Sequence, residues 1–173
     1  YPRYFIASSF GVSESGFYAV ASGLGLRIAS LITMLVTVAA LPYLFKAVNS
    51  GNGQSNYVDQ LHSNLVILLG LLIPGLTGVY LVLPDILPIL LETKYISLTT
   101  NMLPIILLVG FFQAIKSGYI NHIFFASKRT GIIFLYDILI TSTLVLLTPY
   151  VIDIHGAYGG ALALLIAITP VVS

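Results

Sequence analysis

"GFFQAIKSGYINHIFF", residues 110–125, begins and ends as an apolar helix but carries Gln113, Lys116, Ser117, Asn121 and His122 in its interior. On a helix of period 3.6, Gln113, Lys116, Ser117, Ile120, Asn121 and Phe124 share one face, so the polar groups form a stripe. Outward from this stretch the apolar run extends from Met102 to Phe125, about the 20 residues needed to cross a bilayer. Lys116 then lies roughly 15 to 20 Å from either end. Snorkelling does not bring an ammonium group to water from that depth. A lysine there costs about 2.5 to 3.5 kcal/mol on insertion scales, so it must face protein or a water-filled cavity.

Composition carries the same message across the chain. Of the 173 residues, 58% are hydrophobic and 8% charged, with a mean hydropathy of +1.02. So few charges cannot solvate a globular surface, which makes this an integral membrane protein whose surroundings are membrane lipids. The net charge of +1 gives no ground for a nucleic acid partner. With no cysteine, disulfides and thiolate metal sites are excluded. The first residues, "YPRYFIASSFGVSESG", lack an initiator methionine and a signal pattern, and the last, "LALLIAITPVVS", stop inside an apolar run. The chain therefore reads as part of a longer protein.

The hydrophobic pattern predicts an all-α polytopic bundle with about five transmembrane helices in one membrane segment over residues 1–173. The runs are Phe17 to Phe45, Asn64 to Val82, Met102 to Phe125, Thr130 to Ile152, and a fifth from Gly156. Gly, Asn and Ser at positions 49–56 predict a solvated loop after the first. Pro84 and Pro88 predict an end to the second run, with residues 84–101 forming an extracytoplasmic, interfacial connection that includes a short helix. Lys46 falls in the first loop and Lys128 with Arg129 in the third, against Lys94 beside Glu92 in the second. Positive loops stay inside, so the first and third loops are expected in the cytoplasm.

Two readings of the buried charges stand side by side. Lys116 meets an anion in a cavity, or it is the structural partner of Asp137, which lies roughly 10 Å inside the next helix. Arg27, within "ASGLGLRIASLITMLVTVAALP", is likewise mid-membrane with Ser30 on its face, or it is an end residue if the helix starts near Leu24. Gly23, Gly25 and Ala29 permit close helix packing. Pro74 and Gly75 predict a kink. His62, His122 and His155 lack metal-site spacing. The chain has no phosphate loop, HExxH or nucleophile elbow, so neither an ATPase nor a hydrolase is supported, and no cofactor is expected.

Taken in order, "YFIASSFGVSESGFYAVASGLGLRIASLITMLVTVAALPYLF", "NLVILLGLLIPGLTGVYLVLPDILPILLETKY", "LPIILLVGFFQAIKSGYINHIFFASKRTG" and "IHGAYGGALALLIA" resemble the C-terminal half of the polysaccharide flippases. These are the O-antigen and exopolysaccharide exporters of the multidrug/oligosaccharidyl-lipid/polysaccharide superfamily. The resemblance rests on "SGFY", the "LP" closing the first span, "PDILPILLETKY" and "GAYGGALA", spaced as the family's helices eight to twelve.

The resemblance implies about twelve or more helices in two bundles around a cavity of alternating access, in the bacterial cytoplasmic (inner) membrane. It implies transport, with no covalent chemistry, of a lipid-linked oligosaccharide on an undecaprenyl pyrophosphate carrier, with a polysaccharide polymerase or other assembly proteins as partners. In that setting Arg27 and Lys116 are the cavity cations for the pyrophosphate. Gln113, Ser117, Asn121, Asp137 and Ser30 are polar cavity-lining groups, and Tyr119 or Tyr136 offers a face to sugars. Two other readings remain. A cation-coupled exporter of drugs or other small molecules favours an acidic cavity, for which Asp137 is the one acidic residue placed in a span. A non-transporting membrane scaffold leaves Lys116 and Arg27 replaceable by apolar residues.

Overall fold

The computed structural model describes residues 2–49, 53–126 and 130–172, and all its elements are helices. Residues 50–52 of the expected first loop, and 127–129 with Lys128 and Arg129, lie outside the described residues, as do the side chains of Lys46 and Lys94. In chain order the elements are α1 (Pro2–Phe10), α2 (Val12–Asn49), α3 (Gly53–Leu90), α4 (Thr93–Ile115), a π-helical turn (Lys116–Ile120), α5 (Asn121–Ala126), α6 (Thr130–His155) and α7 (Ala157–Val172). The all-α polytopic class read from the sequence is what the structure shows. Among the described residues four stretches are long and apolar enough to cross a membrane: Val12–Ala39, Asp59–Ile89, Tyr95–Phe125 and Thr130–His155. The fifth expected span appears as a shorter apolar helix, Tyr158–Pro170.

Helix α3 is already helical from Gly53, so the loop expected over 49–56 is shorter than read from the sequence, and two further boundaries differ. Helix α3 does not end at Pro84 or Pro88 but runs through both to Leu90, and α4 begins at Thr93, so residues 84–101 hold no separate interfacial helix. Each proline gives up one backbone hydrogen bond, whereas breaking the helix in hydrocarbon strands many groups with no water to meet them. Pro74 is likewise carried inside the continuous α3. The other difference is α1, a short helix that Gly11 separates from α2. Gly11 has φ +93°, a left-handed conformation that side chains resist. The Ser15 hydroxyl donates to the Arg3 carbonyl at 3.1 Å and ties α1 back onto α2.

Helices α2 and α4 form the centre. Ala29 of α2, Leu72, Leu76, Leu83 and Leu87 of α3, and Leu103, Leu107 and Ala114 of α4 form one buried cluster. A second joins Ile6, Tyr18, Ala21, Met102, Ile106, Ile152 and Ala161, so it draws on α1, α2, α4, α6 and α7. Small residues set the α2–α4 spacing. A Cβ on Gly25 meets Ile106 Cγ2 at 2.6 Å, and one on Gly110 meets Ala29 Cβ at 2.9 Å. Gly25 and Ala29 thus do the close packing their types suggested, whereas Gly23 has open space beside it. Helix α6 is the outer member, held mainly by α7.

Two buried threonines offer a paired test. Thr99 and Thr148 are both fully buried, but the Thr148 hydroxyl donates to the Leu144 carbonyl at 2.5 Å whereas Thr99 Oγ1 has no partner. Thr99→Val is expected to stabilise by about 1 kcal/mol, because it removes an unsatisfied buried hydroxyl at nearly constant shape. Thr148→Val is expected to give no such gain. Thermal unfolding midpoints of the two variants check this.

Candidate functional site

The stretch that decided the fold contains a departure from α geometry. Across Lys116–Ile120 the backbone widens into one π turn, in which the Asn121 N–H reaches the Lys116 carbonyl five residues back. Such single-turn insertions concentrate at functional sites. The His122 ring lies over this turn, its Nδ1 at 2.8 Å from the Gly118 carbonyl. A carbonyl only accepts, so Nδ1 carries the proton and donates. Gly118 sits where three helices converge. A Cβ there meets Leu68 Cδ2 of α3 at 2.9 Å and Thr33 Cγ2 of α2 at 3.2 Å.

The extra residue rotates everything beyond it relative to the stripe drawn on an ideal helix. Gln113 and Ser117 stay together, and with Leu26, Ala29, Ser30, Thr33, Gly110 and Ala114 they line a small crevice between α2 and α4. Asn121 is not among the residues that line this crevice. The crevice continues into a furrow of about 290 Å³ bounded by Ser30, Thr33, Met34, Thr37, Val38 and Ser117. Its hydroxyls are oriented by their own helices. Ser30 donates to the Arg27 carbonyl at 3.2 Å, Thr33 to Ala29 at 2.8 Å, and Ser117 to Gln113 at 2.8 Å. Each hydroxyl therefore turns acceptor lone pairs outward, and the Gln113 amide supplies donors.

Lys116 points elsewhere. Its Nζ lies 2.5 Å from Asp137 Oδ1 of α6. The two meet because their helices run to neighbouring ends of the same turn. Lys116 is ten residues before Ala126 and Asp137 seven after Thr130, about 15 and 10 Å by helix rise, and a lysine side chain spans the difference. The pair is lopsided, with the Lys116 side chain 13% exposed and that of Asp137 54%. Beside it the Phe124 and Tyr136 rings pack at 5.9 Å between centroids, so Tyr136 is engaged with α5.

Arg27 is an exposed residue in the middle of the continuous α2, one turn before Ser30. It lies about 22 Å from Val12 and 18 Å from Ala39 by helix rise, so α2 does not start near Leu24. A contrasting furrow between α3 and α4, of about 330 Å³, is lined by Ile73, Leu76, Tyr80, Pro104, Leu107 and Phe111 among others. Its threonine, Thr77, spends its hydroxyl on the Ile73 carbonyl at 2.7 Å. That face suits hydrocarbon, whereas polar side chains line the α2–α4 side and its junction with α6.

The fold and this site define a polytopic α-helical membrane protein with charged and amide groups within its membrane-crossing helices. Compared with known protein families, with curated proteins and with solved structures, the chain matches none.

Proposed function

We propose that the protein is a transporter that moves a lipid-linked oligosaccharide, carried on undecaprenyl pyrophosphate, across the bacterial cytoplasmic membrane by alternating access. The observation that carries the reading is the convergence of polar groups from two membrane-crossing helices, Ser30 and Thr33 with Gln113 and Ser117, along one crevice and its adjoining furrow. Polar surface in that position serves a water-filled path or a polar cargo, since hydrocarbon does not reward it. Arg27, exposed on α2, and Lys116, at the edge of the same helical stretch as Gln113 and Ser117, supply the positive charge that a pyrophosphate requires. The amide and hydroxyls suit the hydroxyl groups of sugars. In this reading the π turn is the deformable point of the central helix, and the process involves no covalent step. Polysaccharide polymerases are natural partners.

The Lys116–Asp137 contact favours a second reading, in which the pair only packs a scaffold. Substitution separates the two. Lys116→Ala, Lys116→Leu and Lys116→Arg are made in the intact protein, matched for membrane abundance, and surface polysaccharide is measured. Export is expected to fall at least tenfold in the Ala and Leu variants and to recover in the Arg variant, the loss corresponding to about 1.4 kcal/mol. Unchanged export in Lys116→Leu overturns the ligand role and leaves the scaffold reading.

A further inference from the structure

The pair raises a question that the transport reading leaves open, namely how an ammonium group already bound to a carboxylate receives an anion. Lys116 is nearly enclosed and its Nζ is held at Asp137 Oδ1, while Asp137 reaches the pair from the more exposed side. Helix α6, which carries Asp137, is the outermost of the long helices and is packed mainly on α7. Near Lys116 it is joined to the central helix by this ion pair and by the Phe124–Tyr136 contact. The ammonium is also attached to the π turn, whose backbone departs from the α pattern directly at Lys116.

We infer that Asp137 is a built-in competitor for the anionic headgroup: it occupies Lys116 in the empty protein, and a phosphate or pyrophosphate group binds by exchanging with it. The inference rests on the reading of Lys116 as the anion-binding cation and adds its regulation. The ammonium has three N–H donors but a single charge, so a pyrophosphate brought against Nζ beside an ionised Asp137 meets the repulsion of that carboxylate, which exchange removes. Exchange therefore weakens empty-site binding of weak anions and couples binding to release of α6 from the π turn. Asp137 leaves Nζ as the headgroup arrives, while Lys116 stays in place.

The apparent affinity of a site that is free only part of the time is reduced by that fraction. An ion pair of about 1 kcal/mol, the upper range for a partly exposed contact, leaves Lys116 free roughly one-fifth of the time, so removing the competitor tightens binding about fivefold.

The test uses the intact protein in lipid nanodiscs and farnesyl diphosphate as the probe, with farnesol as the control for the tail and inorganic diphosphate for the free anion. Dissociation constants are measured for wild type, Asp137→Asn, Lys116→Leu and the double variant. A hydrophobic carbodiimide, which joins a carboxylate to an amine in contact, is applied to the unaltered protein, and the Lys116–Asp137 link is quantified by mass spectrometry with and without probe. The expected result is about fivefold tighter binding in Asp137→Asn, loss of that gain in the double variant, and suppression of the link by farnesyl diphosphate but not farnesol. Suppression by inorganic diphosphate as well makes the free anion sufficient for exchange; suppression only by the farnesyl form makes the lipid-borne one the ligand. If Lys116→Leu weakens binding but Asp137→Asn leaves it unchanged and the link survives saturating probe, exchange is overturned while the anion site stands. If Lys116→Leu binds the probe as wild type does, the anion site fails and the exchange fails with it. The link in unaltered protein decides the matter even where Asp137→Asn does not fold.

Discussion

Gly159→Ala is expected to cost about 3 kcal/mol and to disconnect α6 from α7, the largest structural effect of any single methyl group in this bundle. A Cβ at Gly159 falls against the Val151 carbonyl oxygen and 2.6 Å from Ile152 Cα. Both are backbone atoms of α6, so no side chain can rotate aside. The hairpin is built tightly here. Gly156, with φ +60°, ends α6, its N–H donating to the Ile152 carbonyl at 2.8 Å, and the Gly159 N–H donates back to the Gly156 carbonyl at 3.0 Å. One turn along α7, Gly160 faces Tyr18 and Ile6, so displacement of α7 also disturbs the cluster that holds α1. Gly78→Ala, on a face with open space, is the control and is expected to change stability by less than about 1 kcal/mol. Denaturation in mixed micelles, followed by helicity, measures both, and equal behaviour of the two variants contradicts the packing account.

The second large effect concerns the charges at the π turn. Asp137→Leu leaves the nearly enclosed Lys116 ammonium without its partner, and a loss of about 2 to 3 kcal/mol is expected, toward the lower end of what breaking a buried pair costs. Lys116→Leu leaves the Asp137 carboxylate without its partner, and a loss of similar size is expected. The Lys116→Leu/Asp137→Leu double variant is expected to return to within about 1 kcal/mol of wild type, because apolar side chains in lipid replace a charged pair without loss. A double-mutant cycle of unfolding free energies measures the coupling. Additive losses, with no recovery in the double variant, overturn the pair as a structural unit. On the transport reading, a well-folded double variant exports nothing, which separates what the charges do for folding from what they do for cargo.

Much of the candidate site was legible from residue types. Lys116 in an apolar run demands a partner, and Asp137 was the acidic residue in the neighbouring run at a matching depth, so the pair was one of two readings before any coordinates. "GAYGGALA" was readable as a packing segment, and Gly156, Gly159 and Gly160 each meet a close approach or a positive φ. The stripe assumed an unbroken period of 3.6, and the π turn at Lys116–Ile120 rotates Asn121 relative to Gln113 and Ser117. The end-residue reading of Arg27 came from treating glycines as helix breakers. Helix α2 runs through them unbroken, and Gly25 is where it approaches α4.

The sequence by itself determined that the chain is helical and membrane-embedded, roughly where its long helices lie, and which charges are anomalous. Each of those follows from local quantities, the apolar content of a window and the cost of an ion in hydrocarbon, which do not depend on what lies across the bundle. The tertiary structure decided the continuation of α3 through Pro84 and Pro88, the turn at Gly11, the π insertion at Lys116 and the choice of Ser30, Thr33, Gln113 and Ser117 as neighbours. These depend on helices far apart in sequence approaching to within a side chain's width, as Gly118 does with Leu68 and Thr33. A helix's periodicity records which face is apolar, but where its register slips is set by the helices packed against it.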